Sequence, residues 1–436
     1  MSVALFRSPK RDLRPTPTGL QDAFGRAIAG SQILDRNLES KVRSRRSAKR
    51  RGGSVVVDDG LRLYLHTVWA YSLAMSRQPL GPKALKGRGA LSNPVGLFER
   101  TNLEAVHDGW YTEAEPESVP TTLEPDRARG IITTNDSPDI PFTQSINPYR
   151  GCSHGCTYCY ARPSHAYMGL SSGLDFETRL FFKADAGKVL EQELARPGYV
   201  CKPITIGANT DPYQPDERQM KVTRGILEVL TRARHPVSLI TKSALILRDL
   251  DLLTDLAKDQ LVTVAVSITT LDNGTKRVME PRAASPEARL RAVRELNEAG
   301  VPTGVMVAPV VPAITDHEME AILEAASGAG ARWAAYVLLR LPYEIKDLFR
   351  EWLAQHFPDR AAHVMSLIQD MRGGRDNDPN FGSRMRGTGP IAELLRARFK
   401  IACKRLNLGS GGREIAAPTH LFRPPVVEGS QFRLDF

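Results

Sequence analysis

From Gln144 onward, short apolar runs alternate with longer segments whose apolar positions recur at helical spacing. Six such units follow one another. The first run, Gln144–Arg150, leads into a cysteine-rich loop and then a helix near Asp185–Ala195. The second, Pro203–Ala208, precedes a helix over Gln219–Arg234, and the third, Val237–Thr241, a helix over Arg248–Lys258. The fourth and fifth are Val262–Thr270 and Pro302–Ala308, with helices over Pro286–Ala299 and Asp316–Ser327. The sixth, Trp333–Leu339, leads into a helix near Glu344–His356. Strands alternating with helices argue for a parallel sheet with helical crossovers. The pattern therefore predicts an α/β fold, a partial (β/α)6 barrel of the TIM type, over residues 144–345. In such barrels the chemistry sits on the loops at the C-terminal ends of the strands.

The flanks lack this pattern. Residues 76–143 are rich in Pro, Gly and Asp and read as an irregular lead-in. Within them, Ile131–Phe142 is expected to be an extended segment that covers the barrel entrance or leads into it. Residues 346–436 form a C-terminal extension. Its Arg372–Pro390 stretch, rich in glycine and arginine, is either a lid for an anionic substrate or a solvated loop against the barrel. A helix is expected near Ile391–Leu406.

Charge separates residues 1–75 from the rest. Residues 1–53 hold thirteen Lys or Arg against four Asp or Glu, a net +9, and the remaining 383 residues sum to +1. The overall +10 thus belongs to a basic tail that is predicted to be disordered. An electrostatic arm for nucleic acid is one reading. A solvated tail without a partner is the blander one, favoured because the basic run Lys41–Arg51 interleaves no aromatics for base stacking. The charge break also points to Met75 as an alternative translation start.

Apolar residues make up 42% of the chain, enough for a sizeable core. No run of 18 apolar residues exists, so no membrane helix is expected, and the first ten residues lack the apolar stretch of a secretory signal. Five cysteines in 436 residues do not suggest a disulfide framework and fit a reducing cytoplasm.

Three of those cysteines, Cys152, Cys156 and Cys159, lie within ten residues directly after strand one, where the barrel rule places a site. Thiolates this close can converge on one metal centre. A [4Fe–4S] cluster usually takes four cysteines, so three would leave one iron with an open position. Zinc is the alternative, with His154 or His165 as a fourth ligand. Cys201 and Cys403 read as small buried hydrophobes. Later strand ends offer further polar groups. Asn209, Thr210 and Asp211 follow strand two and suit an ammonium group, or an Asx-type turn before Pro212. Lys242, after strand three, needs an anion, which is a ligand carboxylate or else Asp211 or Asp249. The hydroxyls of Ser267, Thr269 and Thr270 suit a ribose, or are simply strand formers.

These segments resemble the radical S-adenosylmethionine (SAM) superfamily, and within it the spore photoproduct lyase-like, or "DNA repair photolyase"-like, branch. The resemblance runs over about residues 140–315. It rests on the three-cysteine loop, Asn209-Thr210-Asp211, Ile240-Thr241-Lys242-Ser243 and Val266-Ser267-Ile268, followed by Glu280 to Ser285 with Arg289, and Val307-Ala308-Pro309. Residues 83–400 look closer still to a bacterial family of such proteins whose substrate is not established. The resemblance implies a [4Fe–4S] cluster on Cys152, Cys156 and Cys159, with SAM on the open iron. It places Tyr158 near the adenine and puts Asn209, Thr210, Asp211, Lys242, Ser267 and Ala308 around SAM. It also implies an electron donor of the flavodoxin or ferredoxin type. The implied chemistry is reductive SAM cleavage and hydrogen abstraction by the 5′-deoxyadenosyl radical. Nucleic acid is the substrate the branch suggests; a protein or small metabolite is the rival. The rival of another class is a non-catalytic, metal-bearing nucleic-acid-binding protein. One departure matters. Spore photoproduct lyase uses a cysteine on the strand-two loop as a hydrogen donor, and Ala208 stands at the matching position here, so the product-forming step is not implied.

Overall fold

The computed structural model describes residues 85–95, 98, 119–410 and 418–426. The basic tail of residues 1–75 and the start suggested at Met75 lie outside the described residues. All six expected strands are present. They are β3 (Gln144–Ile146), β6 (Ile204–Ile206), β7 (Val237–Thr241), β8 (Val262–Ser267), β9 (Thr303–Val310) and β10 (Trp333–Leu338). Each pairs in parallel with the next, so they form one continuous parallel sheet in chain order. Two further strands extend it: β2 (Ile132–Thr134), antiparallel to β3, and β11 (Gly409–Ser410), parallel to β10.

Alternation along the strands explains the lumen. In β6, Ile204 and Ile206 are fully buried in the core while Thr205 between them lines the cavity inside the sheet. In β8, Thr263, Ala265 and Ser267 line the cavity, whereas Val264 and Val266 do not. Small or hydroxyl-bearing residues therefore face inward where a filled barrel would stack branched apolar ones. The space left is a cavity of about 970 Å³ that reaches from the strand C-termini to Pro203, Val237 and Val262 at the opposite end.

The helices turn apolar faces to the outside of the sheet. In Val222–Arg232, Val222, Ile226, Leu227 and Leu230 recur at helical spacing and are buried. The helix Pro286–Glu298 begins as its sequence suggests, with the Ser285 side chain accepting from the Ala288 N–H and proline at the first turn. Helices over Ala186–Leu194, Leu250–Lys258, Met319–Gly328, Ile345–His356 and Gly389–Arg405 match the expected ones to within a few residues.

Two parts of the flanks are more ordered than the sequence suggested. The lead-in contributes β1 (Thr122–Pro125), which pairs with β5 (Arg179–Phe182); β4 (Tyr149–Arg150) pairs on the other side of β5 to make a second, three-stranded sheet. The segment after β2, which connects to the start of β3, lines the cavity through Asn135, Asp139, Ile140, Pro141 and Phe142. In the extension, Ala361–Asp370 forms a helix not expected from the pattern.

At the N-terminal end of the sheet, residues 418–426 dock on the segment before β7. Phe422 packs on His235 and Tyr199, with ring centroids 5.3 and 5.5 Å away, and the Arg423 N–H donates to the Ala233 carbonyl at 2.8 Å. His235 is fully buried. Its Nδ1 donates to the Pro236 carbonyl at 2.9 Å, which leaves Nε2 to accept from the Tyr199 hydroxyl at 2.8 Å. Burial lowers its pKa from 6.5 to about 4. The unfolded chain therefore takes up a proton that the folded chain refuses as the pH falls through this window, and stability drops. Between pH 7 and pH 4.5 the wild type should lose about 2 kcal/mol more than His235→Gln does, measured by urea unfolding at each pH. Equal losses in the two proteins would refute this.

Candidate functional site

The chain leaves β3, passes through β4 and turns at Gly151 into the cysteine loop. Gly151 has φ +75°, and a Cβ there would lie 2.7–2.8 Å from Leu180, His165 and the Phe176 carbonyl, so no other residue fits without displacement. Backbone contacts then fix the loop from several sides. The Cys152 N–H donates to the Phe176 carbonyl at 2.9 Å, Ser153 N–H to the Gln214 side chain at 2.8 Å, and Thr157 N–H to the Met279 carbonyl at 3.1 Å.

Two buried ion pairs grip the loop. Arg162 and Glu177, both fully buried, meet at 2.7 Å. Arg162 also donates through Nε to the Cys156 carbonyl at 2.9 Å and through Nη1 to the Gly173 carbonyl at 2.8 Å. Glu177 accepts from the Gly89 and Ala90 N–H groups at 3.0 and 2.7 Å, which ties the lead-in to the site. On the other side, buried Glu280 accepts from Arg289, from the Tyr158 hydroxyl and, at 2.7 Å, from the Thr269 hydroxyl. Burial would raise the pKa of Glu280, but Arg289 and Lys242 outweigh it and hold the carboxyl well below the usual range.

Cys152, Cys156 and Cys159 all line the cavity, and Cys159 packs against both of the apolar clusters that hold the other two. Their donor chemistry is sulfur alone, which suits an iron–sulfur cluster or zinc. Among the described residues no three His, Cys, Asp or Glu side chains stand in a preformed metal-ligating group. Burial, and the negative charge of Asp211 for Cys152 and Glu280 for Cys156, push their thiol pKa values up; burial does the same at Cys159. The thiols stay protonated until a metal's positive charge draws the protons off. Of the two candidate histidines, His154 lines the cavity, with Nδ1 buried and 3.4 Å from Asp211 but without a well-formed hydrogen bond. His165 packs on Phe176 and points Nε2 at the Arg179 carbonyl, away from the cavity lining.

The other expected residues also meet on this cavity: Tyr158, Asn209, Thr210, Asp211, Lys242, Ser267 and Ala308 all line it. Their polar atoms are not equally free. The Tyr158 hydroxyl is committed to Glu280, so its ring and not its hydroxyl faces the lumen. Asp211 accepts from the Thr241 hydroxyl and the Lys242 N–H, both at 2.7 Å, and from the Tyr213 N–H at 2.9 Å. The bond from Tyr213 makes the Asx-type turn that the sequence also offered, and Asp211 still lies on the cavity lining. Thr210 donates to the Tyr149 carbonyl at 3.0 Å, and the Asn209 N–H donates to the Asn147 side chain at 2.8 Å.

Lys242 differs from what the sequence offered as its ordinary partner. Its ammonium pairs with neither Asp211 nor Asp249; Nζ donates to the Ala308 carbonyl at 3.2 Å and lies 4.0 Å from Glu280. Glu280 is already engaged by Arg289, so Lys242 retains the capacity to meet an anion in the cavity. Ala208 lies on the cavity wall, and its carbonyl accepts from the Tyr160 hydroxyl. Sequence reasoning missed Arg162, Glu177, Tyr160 and Arg340. Glu177 meets Arg88 across 89 residues and Arg340 meets Tyr160 from a far more distant segment, and no local pattern marks them.

Residues 146–326 match the family model described as Radical SAM superfamily. An uncharacterized protein of Mycobacterium tuberculosis is 35% identical over 265 residues, which cover 60% of this chain and 76% of that one. An uncharacterized protein of Methanocaldococcus jannaschii is 28% identical over 217 residues, 49% of this chain and 76% of the relative. Among solved structures, a spore photoproduct lyase mutant superposes with a TM-score of 0.49 at 13% identity, covering 66% of this chain and 80% of that one.

Removing one member of a buried pair leaves the other charged and unpaired. Arg162→Met should therefore destabilise the protein by about 3–5 kcal/mol in urea unfolding, and Arg162→Met with Glu177→Gln should recover part of the loss. A single variant as stable as wild type would show that the pair does not hold the loop.

Proposed function

The chain belongs to the radical SAM superfamily, and on that premise we propose that Cys152, Cys156 and Cys159 hold a [4Fe–4S] cluster beside a SAM molecule in the 970 Å³ cavity. When bound, these groups supply a 5′-deoxyadenosyl radical and methionine from SAM and one donated electron, and the radical takes a hydrogen atom from a substrate C–H bond. The observation that carries the reading is the convergence of the three cysteines with Lys242, Ser267 and Ala308 on one lumen.

The chain's own residues bind and orient. Lys242 faces the SAM carboxylate, kept in place by the Ala308 carbonyl and the Glu280 carboxylate. Tyr158 presents its ring to the adenine while Glu280 fixes its hydroxyl. Asn209 after β6 and Ser267 at the end of β8, on either side of β7, supply polar contacts. Asp211 acts one step back, locking the Lys242 backbone and the turn that carries Asn209 and Thr210. The small inward residues leave room for part of a substrate, and Asp139 to Phe142 shield the entrance from water and oxygen. The electron comes from a flavodoxin- or ferredoxin-type donor in the cytoplasm. Nucleic acid is the substrate class proposed, on the resemblance alone. With Ala208 in place of a thiol, and Cys152, Cys156 and Cys159 the cavity's cysteines among the described residues, the fate of the substrate radical differs from that in spore photoproduct lyase.

Anaerobic reconstitution with iron and sulfide should give a brown protein that yields 5′-deoxyadenosine from SAM after reduction. Alanine at Cys152, Cys156 or Cys159 should abolish both colour and cleavage, and alanine at Cys201 or Cys403 should leave them intact. Colourless protein holding one zinc would end the proposal. Lys242→Met should keep the colour and weaken SAM binding at least about tenfold in equilibrium dialysis. Deuterated, UV-damaged DNA tests the substrate class: deuterium should move into 5′-deoxyadenosine, and its absence there removes nucleic acid of this kind.

A further inference from the structure

The cavity mouth carries positive charge for which the chemistry above has no use. Arg340, two residues past β10, lines the cavity, and its Nε is buried with no hydrogen-bond partner. Among the described residues its guanidinium meets a sulfur and an aromatic ring. Nη1 lies 3.6 Å from the Met385 sulfur, and the group stands 5.7 Å over the ring of half-exposed Tyr160. Burial and nearby Arg384 disfavour its charge, and Asp139 and Tyr160 offset them only in part. Arg386 lines the same mouth.

Neither carboxylate of the cavity lining, Asp139 or Asp211, forms an ion pair with Arg340 or Arg386 among the described residues. Asp139 accepts from Arg384 and from the Gly382 N–H at 3.2 Å. Asp211 is occupied by Thr241, Lys242 and Tyr213. The segment bearing Arg386 is held as part of the wall. Arg372 is buried and spans it, donating to the Ser383 and Arg384 carbonyls at 3.0 and 2.8 Å and to the Leu339 carbonyl at 2.7 Å. Burial lowers the pKa of Arg372 to about 10, which these carbonyl bonds tolerate because they need only its donors. An arginine desolvated beside other arginines, with no acid paired to it, is stabilised when an oxyanion arrives.

We propose that Arg340 and Arg386 bind an anionic group of the substrate, a phosphate or a carboxylate, at the mouth beside Tyr160. This rests on the radical SAM reading, because it takes the cavity to be the substrate site. The position is distinct from that of SAM's own carboxylate. Lys242 follows β7 and Arg340 follows β10, three strands away, on the order of 14 Å along the sheet.

The test uses the reconstituted full chain with saturating SAM, titrated calorimetrically at low salt with pyrophosphate and, separately, with malonate. At least one should bind. Arg340→Met should weaken that binding about tenfold or more, Arg340→Lys should recover part of it, and the SAM dissociation constant should stay within about twofold of wild type. Binding of pyrophosphate alone identifies a phosphate ester, and binding of malonate alone a carboxylate. The proposal is overturned if neither anion binds, if Arg340→Met binds them as wild type does, or if it loses SAM in parallel, since the site would then be the cofactor's. Should Arg340→Met misfold, exposed Arg386→Gln carries the same comparison. A protein that binds an anion through Arg340 but never cleaves SAM would refute the radical reading while leaving the anion site standing.

Discussion

A carboxylate buried in a protein is tolerated only where donors surround it, and the cysteine loop is built on two such carboxylates. Glu177 answers Arg162 on one side and Glu280 answers Arg289 on the other, all four fully or almost fully buried. Each pair does more than neutralise itself. Arg162 reaches the Cys156 carbonyl, and Glu280 takes the Tyr158 hydroxyl while its charge lies 4.0 Å from Lys242. The side chains that face the lumen are thus oriented by charges that do not. Ion pairs of this kind add little net stability compared with apolar packing. Here their contribution is position.

The lumen follows from a different choice. Thr205, Thr263, Ala265, Ser267 and Ala308 face inward where larger residues would fill the barrel and strengthen it. The resulting 970 Å³ lies at the upper end of the range for small-molecule sites. Stability is recovered outside the sheet, where Ile204, Ile206, Val264 and Val266 meet helices such as Val222–Arg232 in one large core. A strand that is apolar on its outer face and small or polar on its inner face makes this division possible within a single two-residue repeat.

That same repeat explains what could be read in advance. β7 was legible to both ends because Pro236 precedes it and Lys242 begins the next turn. β6 ends earlier than expected because Gly207 turns with φ +94°, and a Cβ there would meet the Ile240 carbonyl at 2.3 Å. β8 stops at Ser267, since Thr270 and the Leu271 N–H turn aside to bond Glu318. The sheet of β1, β5 and β4 was not legible: its strands are two to four residues long and show no alternation. In the site, the cysteines and the strand-end motifs announced themselves by spacing. Arg162, Glu177 and Arg340 did not, because a buried pair or an orphaned cation is a property of distant segments brought together. Asp211 shows the opposite limit. Its position was legible, and which donors would claim its oxygens was not.

The two readings of the arginine- and glycine-rich extension were a lid and a packed loop, and the structure separates the properties they combined. The segment is fastened: Arg372 ties residues 383–384 to the end of β10, and Arg384 ties it to Asp139 across the entrance. Yet it delivers Met385 and Arg386 to the cavity wall. A lid gains selectivity by closing on its ligand, whereas a fastened wall has it before the ligand arrives and spends no ordering entropy on binding. In this fold β10 and the extension form the part of the mouth that β3, committed to the cysteines, and β7, committed to Lys242, cannot supply. Arg340 and Arg386 have no carboxylate of their own there among the described residues, because one cavity carboxylate, Asp139, is paired with Arg384 to fix the extension and the other, Asp211, fixes the strand-end turns. The cationic mouth is therefore a consequence of how the wall is built, and it sets the charge that a substrate must bring.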